Sequence, residues 1–161
     1  MNAVVRDDWT LVPMTMAELG AVVAIESTVY EFPWTRGNFI DSLAAGYLSR
    51  VLRIGGQVVG YFVAMKGVDE MHLLNLTVAL AEQGQGHARR MLDELLALCR
   101  VQQARQLWLE VRESNARARS LYLHYGFRHI GVRGGYYPAL HGLREDAAVM
   151  SMDVEVSRDV D

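Results

Sequence analysis

The chain is poor in the residues that build cross-links and metal centres. Among its 161 residues there is one cysteine, Cys99, which excludes an internal disulfide and any cysteine cluster for zinc. The five histidines are scattered without the spacing of metal ligands, so we expect no metal site. The longest uncharged run, residues 54–65, has 12 residues and is too short to span a bilayer.

The beginning of the sequence also lacks an export signal. Residues 1–8 carry acids where a signal peptide needs an apolar stretch, so we expect a cytoplasmic protein with no membrane partner. The composition, 51% hydrophobic and 22% charged, is that of an ordinary globular protein with a core of its own. No internal repeat, low-complexity segment or linker interrupts the chain. We therefore predict a single domain over residues 1–161.

Positive charge is concentrated in one segment of the chain. Residues 83–133 contain nine arginines against four acids, a balance of +5. The remainder has six arginines and one lysine against 15 acids, a balance of −8, and the two add to the overall −3. A basic segment inside an acidic protein indicates an anionic ligand, whereas the pI of about 5.9 disfavours nucleic acid. Helix surfaces decorated with arginine are the alternative explanation.

Hydrophobic periodicity and turn residues predict the element order β-α-α-β-β-β-α-β-α-β-β. Thr15 and Thr35 are placed to cap the first two helices, the glycine pair at 55–56 to turn a hairpin, and Gly126 to end the last helix. This order indicates an α/β fold of the mixed α+β kind. Its first half is mostly antiparallel, its second half contains a βαβ crossover, and helices cover both faces. The predicted strands are 9–14, 47–54, 57–68, 70–78, 106–112, 127–132 and 146–154.

The motif Gln-Gly-Gln-Gly-His-Ala at 83–88 lies between a buried strand and a long helix. Glycines and alanine let backbone amides approach a ligand closely, and the first helical turn leaves N–H groups unpaired. With Arg89 and Arg90 following, the motif predicts a site for phosphate oxygens. No Gly-Lys-Ser/Thr follows, so it is not a P-loop, and Arg89 occupies the third glycine position of the dinucleotide fingerprint. A plain glycine turn before a helix is the alternative.

The spacing Gln-x-x-Gly-x-Ala at this junction resembles the signature Q/R-x-x-G-x-G/A of the GNAT acetyltransferase superfamily. Further segments are similar to its RimI-like branch, whose members acetylate the N-terminal alanine of a small-subunit ribosomal protein. The similarity extends over nearly the whole chain. The segments are 32–35 (Phe-Pro-Trp-Thr), 107–112 (Leu-Trp-Leu-Glu-Val-Arg), 114–118 (Ser-Asn-Ala-Arg-Ala), 121–122 (Leu-Tyr), 125–127 (Tyr-Gly-Phe), 136–138 (Tyr-Tyr-Pro) and 144–147 (Arg-Glu-Asp-Ala).

The resemblance implies an acetyl-CoA-dependent N-acetyltransferase that transfers the acetyl group directly in a ternary complex, without a metal. The implied acceptor is the N-terminal peptide of a ribosomal protein. Glu110 would be the base and Tyr122 would lie near the cofactor sulfur as the acid. The implied cofactor contacts are the backbone of Leu76, Thr77 and Val78 for the pantetheine arm, the segment Gly84, Gln85, Gly86, His87, Ala88 and Arg89 for the pyrophosphate, and Asn115.

Each of these residues has a purely structural alternative. Glu110 could face water on the polar side of its strand, Tyr122 could be a core tyrosine, and Asn115 could be only a helix cap. A lysine side chain or a small amine as acceptor, and a non-catalytic acyl-CoA-binding module, are the alternative functions. The chain departs from the branch pattern at 79–81 (Ala-Leu-Ala), at the glycine pair 134–135 and at Leu143. The last two departures bear on the acceptor more than on catalysis.

Overall fold

A computed structural model describes residues 8–157 of the chain. The segment 1–7, on which the export-signal prediction mainly depends, lies outside the described residues. By its internal contacts the chain divides into two compact units. Unit 1 comprises the described part of Met1–Ala64 together with Asn75–Leu92, and unit 2 comprises Met65–Leu74 with the described part of Asp93–Asp161. A single domain over residues 1–161 therefore stays a prediction.

The order of helices and strands confirms the predicted β-α-α-β-β-β-α-β-α-β-β arrangement. Short 3-10 turns stand at Met16–Glu18, Leu80–Glu82 and Leu140–Gly142. The helices are α1 (Leu19–Val29), α2 (Arg36–Ala44), α3 (His87–Val101) and α4 (Ala116–Tyr125). The strands are β1 (Trp9–Pro13), β2 (Leu48–Ile54), β3 (Gln57–Lys66), β4 (Glu70–Val78), β5 (Gln106–Arg112), β6 (Arg128–Pro138) and β7 (Arg144–Asp153).

Unit 1 is built on an antiparallel meander of β1, β2 and β3. Gly55 and Gly56 turn the β2–β3 hairpin with φ of 57° and 79°, values at which a side chain would be strained. Large apolar side chains from α2 and β3 fill its core, among them Phe39, Tyr61 and Phe62, each fully withdrawn from water. Burial of such aromatic side chains stabilises the unit through the hydrophobic effect.

Both predicted threonine caps are confirmed. The backbone N–H of Thr15 donates to the Glu18 carboxylate at 2.7 Å, and the Thr15 hydroxyl oxygen accepts from the N–H of Ala17 at 3.3 Å. At α2, Thr35 and Asn38 exchange the corresponding pair of hydrogen bonds, at 2.9 and 3.1 Å. The caps satisfy N–H groups that the first helical turn leaves without intrahelical acceptors. They therefore determine where these two segments begin to wind.

Unit 2 contains the parallel part of the sheet. The first half of β4 pairs in parallel with β5, from Glu70↔Gln106 to Leu73↔Leu109. Strand β7 then pairs antiparallel with β5, and β6 antiparallel with β7. The strand order is β1-β2-β3-β4-β5-β7-β6, which confirms a mixed and mostly antiparallel sheet with one βαβ crossover through α3.

The last two strands are longer than predicted, which corrects the assignment of residues 133–145 to a loop. β6 continues to Pro138 and β7 begins at Arg144. The ladder shifts register between Arg133 and Tyr137, and Gly135 adopts a φ of 59° within that irregularity. Glycines at a β-bulge give the same composition as a glycine-rich loop, so the sequence pattern did not separate the two.

Within residues 8–157, no helix is both long enough and apolar enough to cross a membrane. In the same range, no three side chains of histidine, cysteine, aspartate or glutamate form a group that could hold a metal ion. Cys99 is a free thiol on the buried face of α3, where burial raises its pKa to about 11. Its position among apolar neighbours indicates a packing role.

Candidate active site

In unit 1, a glycine loop leads into the N-terminus of α3. Gly84 and Gly86 have φ of 78° and 83°, conformations that a side chain would strain. The first helical hydrogen bond runs from the N–H of Arg90 to the carbonyl of Gly86 at 3.1 Å. The N–H groups of His87, Ala88 and Arg89 precede that bond, so the helix itself supplies them with no acceptor.

The space above this loop fits an anionic group. A Cβ added at Gly86 would meet nothing within 4 Å, and both Gln85 and Arg89 are exposed. Helix N–H groups, the positive end of the helix dipole and an arginine are what phosphate oxygens require. The segment therefore fits the phosphate oxygens that its motif predicts. That Gly84, Gln85, Gly86, His87, Ala88 and Arg89 hold the pyrophosphate of acetyl-CoA, which the resemblance implies, stays a prediction.

Two side chains, those of Gln83 and His87, lie beside the loop. The side-chain amide of Gln83, the first residue of the motif, donates to the carbonyl of Val78 at 3.0 Å and ties the loop to the end of β4. His87 is 5% exposed, and among the described residues neither of its ring nitrogens has a hydrogen-bond partner. Its Nε2 lies 3.5 Å from Glu82 Oε2. The imidazole thus stands close to a carboxylate beneath the first turn of α3.

The end of β4 is held by a phenol. The hydroxyl of Tyr30 lies 2.8 Å from Thr77 Oγ1 and donates to the carbonyl of Leu76 at 3.3 Å. Burial is the main cause that raises the pKa of Tyr30, to about 12, so the phenol stays a donor at neutral pH. The carbonyls of Leu76 and Val78 thus each accept a hydrogen bond from a side chain of unit 1. Their contact with the pantetheine arm stays a prediction.

A buried carboxylate organises the same region. Glu26 is 2% exposed, and its Oε1 accepts from the Tyr61 hydroxyl at 2.7 Å and from the Asn75 amide at 3.0 Å. Its Oε2 accepts from the backbone N–H of Trp34 at 2.9 Å. Asn75 in turn accepts from the Thr77 hydroxyl at 2.7 Å. Glu26 therefore joins α1, the connection before α2, β3 and the end of β4.

In unit 2, Glu110 lies one residue beyond the parallel ladder between β4 and β5. Its side chain is 4% exposed, and its Oε2 lies 2.5 Å from Nε2 of His72, a buried residue of β4. The His72 ring stacks on Trp108 with centroids 3.6 Å apart and planes at 11°. The alternative that Glu110 faces water is therefore wrong, and Leu107, Leu109 and Val111 are buried on the opposite side of β5.

An arginine approaches the same carboxylate from β6. Arg133 Nη1 lies 3.4 Å from Glu110 Oε1, and the guanidinium stands over the rings of Trp108 and Tyr136 at 5.8 and 5.4 Å. Burial and the Glu110 carboxylate raise the pKa of Tyr136, while Arg133 opposes the shift. Glu110 is thus flanked by an imidazole, a guanidinium and aromatic faces.

The two other predicted residues of unit 2 lie on α4. The Asn115 side-chain oxygen accepts from the N–H of Ala118 at 3.2 Å, so Asn115 is the N-cap of the helix. Tyr122 is 8% exposed and packs edge-to-face against Phe127, with ring centroids 5.4 Å apart. Both side chains therefore have structural roles. Their predicted contacts with the cofactor stay predictions.

The predicted residues fall into two groups. Leu76, Thr77, Val78 and the loop segment lie in unit 1, whereas Glu110, Asn115 and Tyr122 lie in unit 2. Sequence reasoning did not identify His72 or Arg133 as neighbours of Glu110, nor Tyr30 and Glu26 as supports of β4. A signal existed for two of them, since His72 is a polar residue in an apolar strand and Glu26 occupies an apolar-stripe position of α1.

Comparison with known proteins gives the family. The profile of the acetyltransferase (GNAT) family matches residues 19–127. The ribosomal protein bS18-alanine N-acetyltransferase of Haemophilus ducreyi is 34% identical over 128 residues, 80% of this chain and 88% of that protein. The enzyme of the same name from Escherichia coli is 33% identical over 147 residues, 91% of this chain and 99% of that protein.

Comparison with solved structures finds similar enzymes. The crystal structure of the Escherichia coli ribosomal-protein-S18-alanine N-acetyltransferase superposes with a TM-score of 0.85 at 32% identity, covering 94% of this chain and 97% of that one. The structure of Ard1 from Thermoplasma volcanium has a TM-score of 0.81 at 25% identity, covering 92% of this chain and 99% of that one. The similarity thus extends over nearly the full length of both proteins.

Proposed function

The chain belongs to the acetyltransferase (GNAT) family and is an acetyl-CoA-dependent N-acetyltransferase, and from this premise we propose that its acceptor is the N-terminal alanine of ribosomal protein bS18. The observation that carries the proposal is the 33% identity to the Escherichia coli bS18-alanine enzyme, which spans 91% of this chain and 99% of that protein. The family match at 19–127 runs through segments of both units, which supports a single working domain over residues 1–161. A ribosomal acceptor also supports a cytoplasmic location.

For the cofactor, we assign the pyrophosphate of acetyl-CoA to the segment from Gly84 to Arg89, whose last three residues carry the first N–H groups of α3. The open space at Gly86 and the positive φ of both loop glycines support this assignment. The pantetheine arm is assigned to the backbone of Leu76–Val78, which Tyr30 and Gln83 hold in place. Asn115 is assigned a contact through its amide nitrogen, since its oxygen caps α4.

The acceptor chemistry needs little base strength. An α-amine has a reference pKa near 8, so roughly a tenth of it is neutral at pH 7, against less than about 0.1% of a lysine amine. The neutral amine nitrogen attacks the thioester carbonyl carbon, a C–N bond forms and the C–S bond breaks. One proton leaves the nitrogen and one is needed by the departing thiolate. A carboxylate and a phenol of ordinary strength are sufficient for these transfers.

We assign the two proton transfers to residues of unit 2. Glu110 accepts the proton from the amine; its imidazole and guanidinium neighbours keep the carboxylate ionised and in place, ready to accept it. Tyr122 donates a proton to the thiolate, and the phenol needs no prior ionisation because its reference pKa is near 10. No covalent enzyme intermediate is involved, so acetyl-CoA and the peptide bind together.

The test is acetyl transfer to a synthetic peptide with the N-terminal sequence of bS18 from the same organism, compared with its Nα-blocked twin. Thiol release gives the rate, and mass spectrometry locates the acetyl group. Glu110→Gln and Tyr122→Phe are measured beside two matched controls. Glu113→Gln changes a half-exposed carboxylate just beyond β5, and Tyr125→Phe changes a tyrosine of the same helix.

We expect acetylation of the free N-terminus alone, a large loss with Glu110→Gln and Tyr122→Phe, and near-normal rates with both controls. Acetylation of the blocked peptide would show that the acceptor is a lysine side chain and not the N-terminal amine. Binding of acetyl-CoA without transfer to any amine would instead point to a non-catalytic acyl-CoA-binding module and overturn the proposed function.

A further inference from the structure

The two oxygens of the Glu110 carboxylate have different neighbours. One of these neighbours, His72, has no role in the proposed function. Oε2 lies 2.5 Å from His72 Nε2, which is hydrogen-bond distance. Oε1 lies 3.4 Å from Arg133 Nη1 and, among the described residues, is buried without a hydrogen-bond partner. An oxygen in this state has unused accepting capacity inside the protein, which is unfavourable unless a donor arrives.

The fold leaves the His72 ring little freedom. His72 and Trp108 are directly opposite in the parallel ladder of β4 and β5, and their rings stack 3.6 Å apart. Glu110 is two residues beyond Trp108, so its side chain rises from the same face of β5. The histidine side chain is 10% exposed, and stacking fixes the plane in which Nε2 points at the carboxylate. His72 thus holds one oxygen of Glu110 through a rigid contact.

Arg133 approaches the other oxygen differently. It lies on β6, two strands away from β5, where it pairs with Ala147 of the intervening β7. Ala147 pairs in turn with Arg112 of β5, so Arg133 reaches the Glu110 carboxylate diagonally across the sheet. Its side chain is 50% exposed, and its Nη1, 3.4 Å from Oε1, makes no hydrogen bond with that oxygen. A half-exposed arginine at 3.4 Å supplies positive potential without occupying the lone pairs of Oε1.

We propose that His72 is a positioning residue which, by donating its Nε2–H to Oε2, turns the Glu110 carboxylate so that Oε1 takes the proton of the acceptor amine. This inference rests on the proposed function, in which Glu110 is the base. In the step, the N–H bond of the attacking amine breaks and an O–H bond forms at Oε1, while the electron pair stays on nitrogen for the new C–N bond. His72 keeps its own proton throughout.

Two substitutions separate the hydrogen bond from the packing. His72→Phe keeps a flat ring to stack on Trp108 but has no donor, whereas His72→Gln keeps a donor and loses the ring. His129→Gln, an exposed histidine on β6, is the control for loss of a histidine in the same unit. For each variant we would measure kcat, KM for acetyl-CoA and for the peptide, and the melting temperature.

We expect kcat of His72→Phe to fall about 10- to 100-fold, because a misplaced catalytic group costs rate of this order. KM for acetyl-CoA should stay within about twofold, since the hydrogen bond removed does not involve the cofactor site. His72→Gln should recover most of kcat, and His129→Gln should match the wild type. An unimpaired kcat in His72→Phe, or equal losses in both His72 variants with a lowered melting temperature, would overturn the role.

A readout independent of activity is the imidazole itself. In 15N-labelled protein we expect the His72 proton on Nε2, with a signal that changes in Glu110→Gln and not in Glu113→Gln. A proton on Nδ1 alone would overturn the contact. The two proposals also fail differently: a wild type that transfers no acetyl group overturns the proposed function and this role together. Active wild type with unimpaired His72→Phe overturns only the role of His72.

Discussion

Glu26 in unit 1 and Glu110 in unit 2 are both carboxylates withdrawn from water, but they are held in opposite ways. Three donors reach Glu26, a phenol, an amide and a backbone N–H, and all three are neutral. Glu110 has an imidazole on one oxygen, while the other is buried without a hydrogen-bond partner among the described residues. A carboxylate with both oxygens engaged holds structure together, whereas one with an open oxygen can exchange a proton.

The largest expected effect tests the open carboxylate. Glu110→Gln should lower kcat about 100- to 10,000-fold, because an amide cannot take the amine proton, and should leave the unfolding midpoint in urea nearly unchanged. Glu113→Gln is the matched control and should keep wild-type kcat. A large loss of stability in Glu110→Gln would erase the contrast with Glu26, since Glu110 would then also be a structural carboxylate.

Substitution of Glu26, whose two oxygens both accept hydrogen bonds, should lower stability rather than kcat. Glu26→Ala leaves the Tyr61 hydroxyl, the Asn75 amide and the Trp34 N–H without their acceptor, at a cost of about 3 kcal/mol or more in the free energy of unfolding. Urea denaturation measures the loss, and kcat per folded molecule should change far less than in Glu110→Gln. If stability were unaffected while kcat collapsed, Glu26 would be the residue with the chemical role.

The phenol of Tyr30, near Glu26, should make unit 1 lose stability at high pH. The pKa of Tyr30 is raised from 10 to about 12, so between these values the unfolded chain loses a proton that the folded chain keeps. The contribution of Tyr30 to the free energy of unfolding should therefore be constant below pH 10 and fall by about 2–3 kcal/mol as pH rises through 12. Tyr30→Phe should reduce that slope in urea titrations. An unchanged slope would show that the phenol titrates normally in the fold.

The smallest expected effect concerns Asn115 at the start of α4. Its side-chain oxygen is engaged in capping the helix, whereas its amide nitrogen is assigned to the cofactor. Asn115→Asp keeps the side-chain oxygen that caps the helix and removes the amide donor, whereas Asn115→Ala removes both. The alanine variant should lose about 1 kcal/mol of stability and the aspartate variant little. A raised KM for acetyl-CoA in both variants would support the cofactor contact. A normal KM in Asn115→Asp would leave Asn115 as a cap alone.

Local signals in the sequence were strong enough to predict much of the fold. The capping boxes at Thr15 and Thr35, the glycine turn at 55–56 and the end of α4 at Gly126 all depend on neighbours within about four residues. The face of β5 that carries Glu110 follows from alternation alone. The extended β6 and β7 were missed because a glycine bulge has the composition of a loop.

Residue types, spacing and family resemblance thus specify the element order, the glycine loop and the candidate base without any coordinates. The partners of that base depend on which strands lie side by side and in what register. His72 meets Glu110 because β4 and β5 pair in parallel. Arg133 reaches it because β5 and β6 both pair with β7, in a register that sets Arg133 and Arg112 opposite the same residue, Ala147. Cross-strand contacts between segments far apart in the chain leave no periodic trace in either segment. For that reason the asymmetry of the Glu110 carboxylate emerges only once the sheet is assembled.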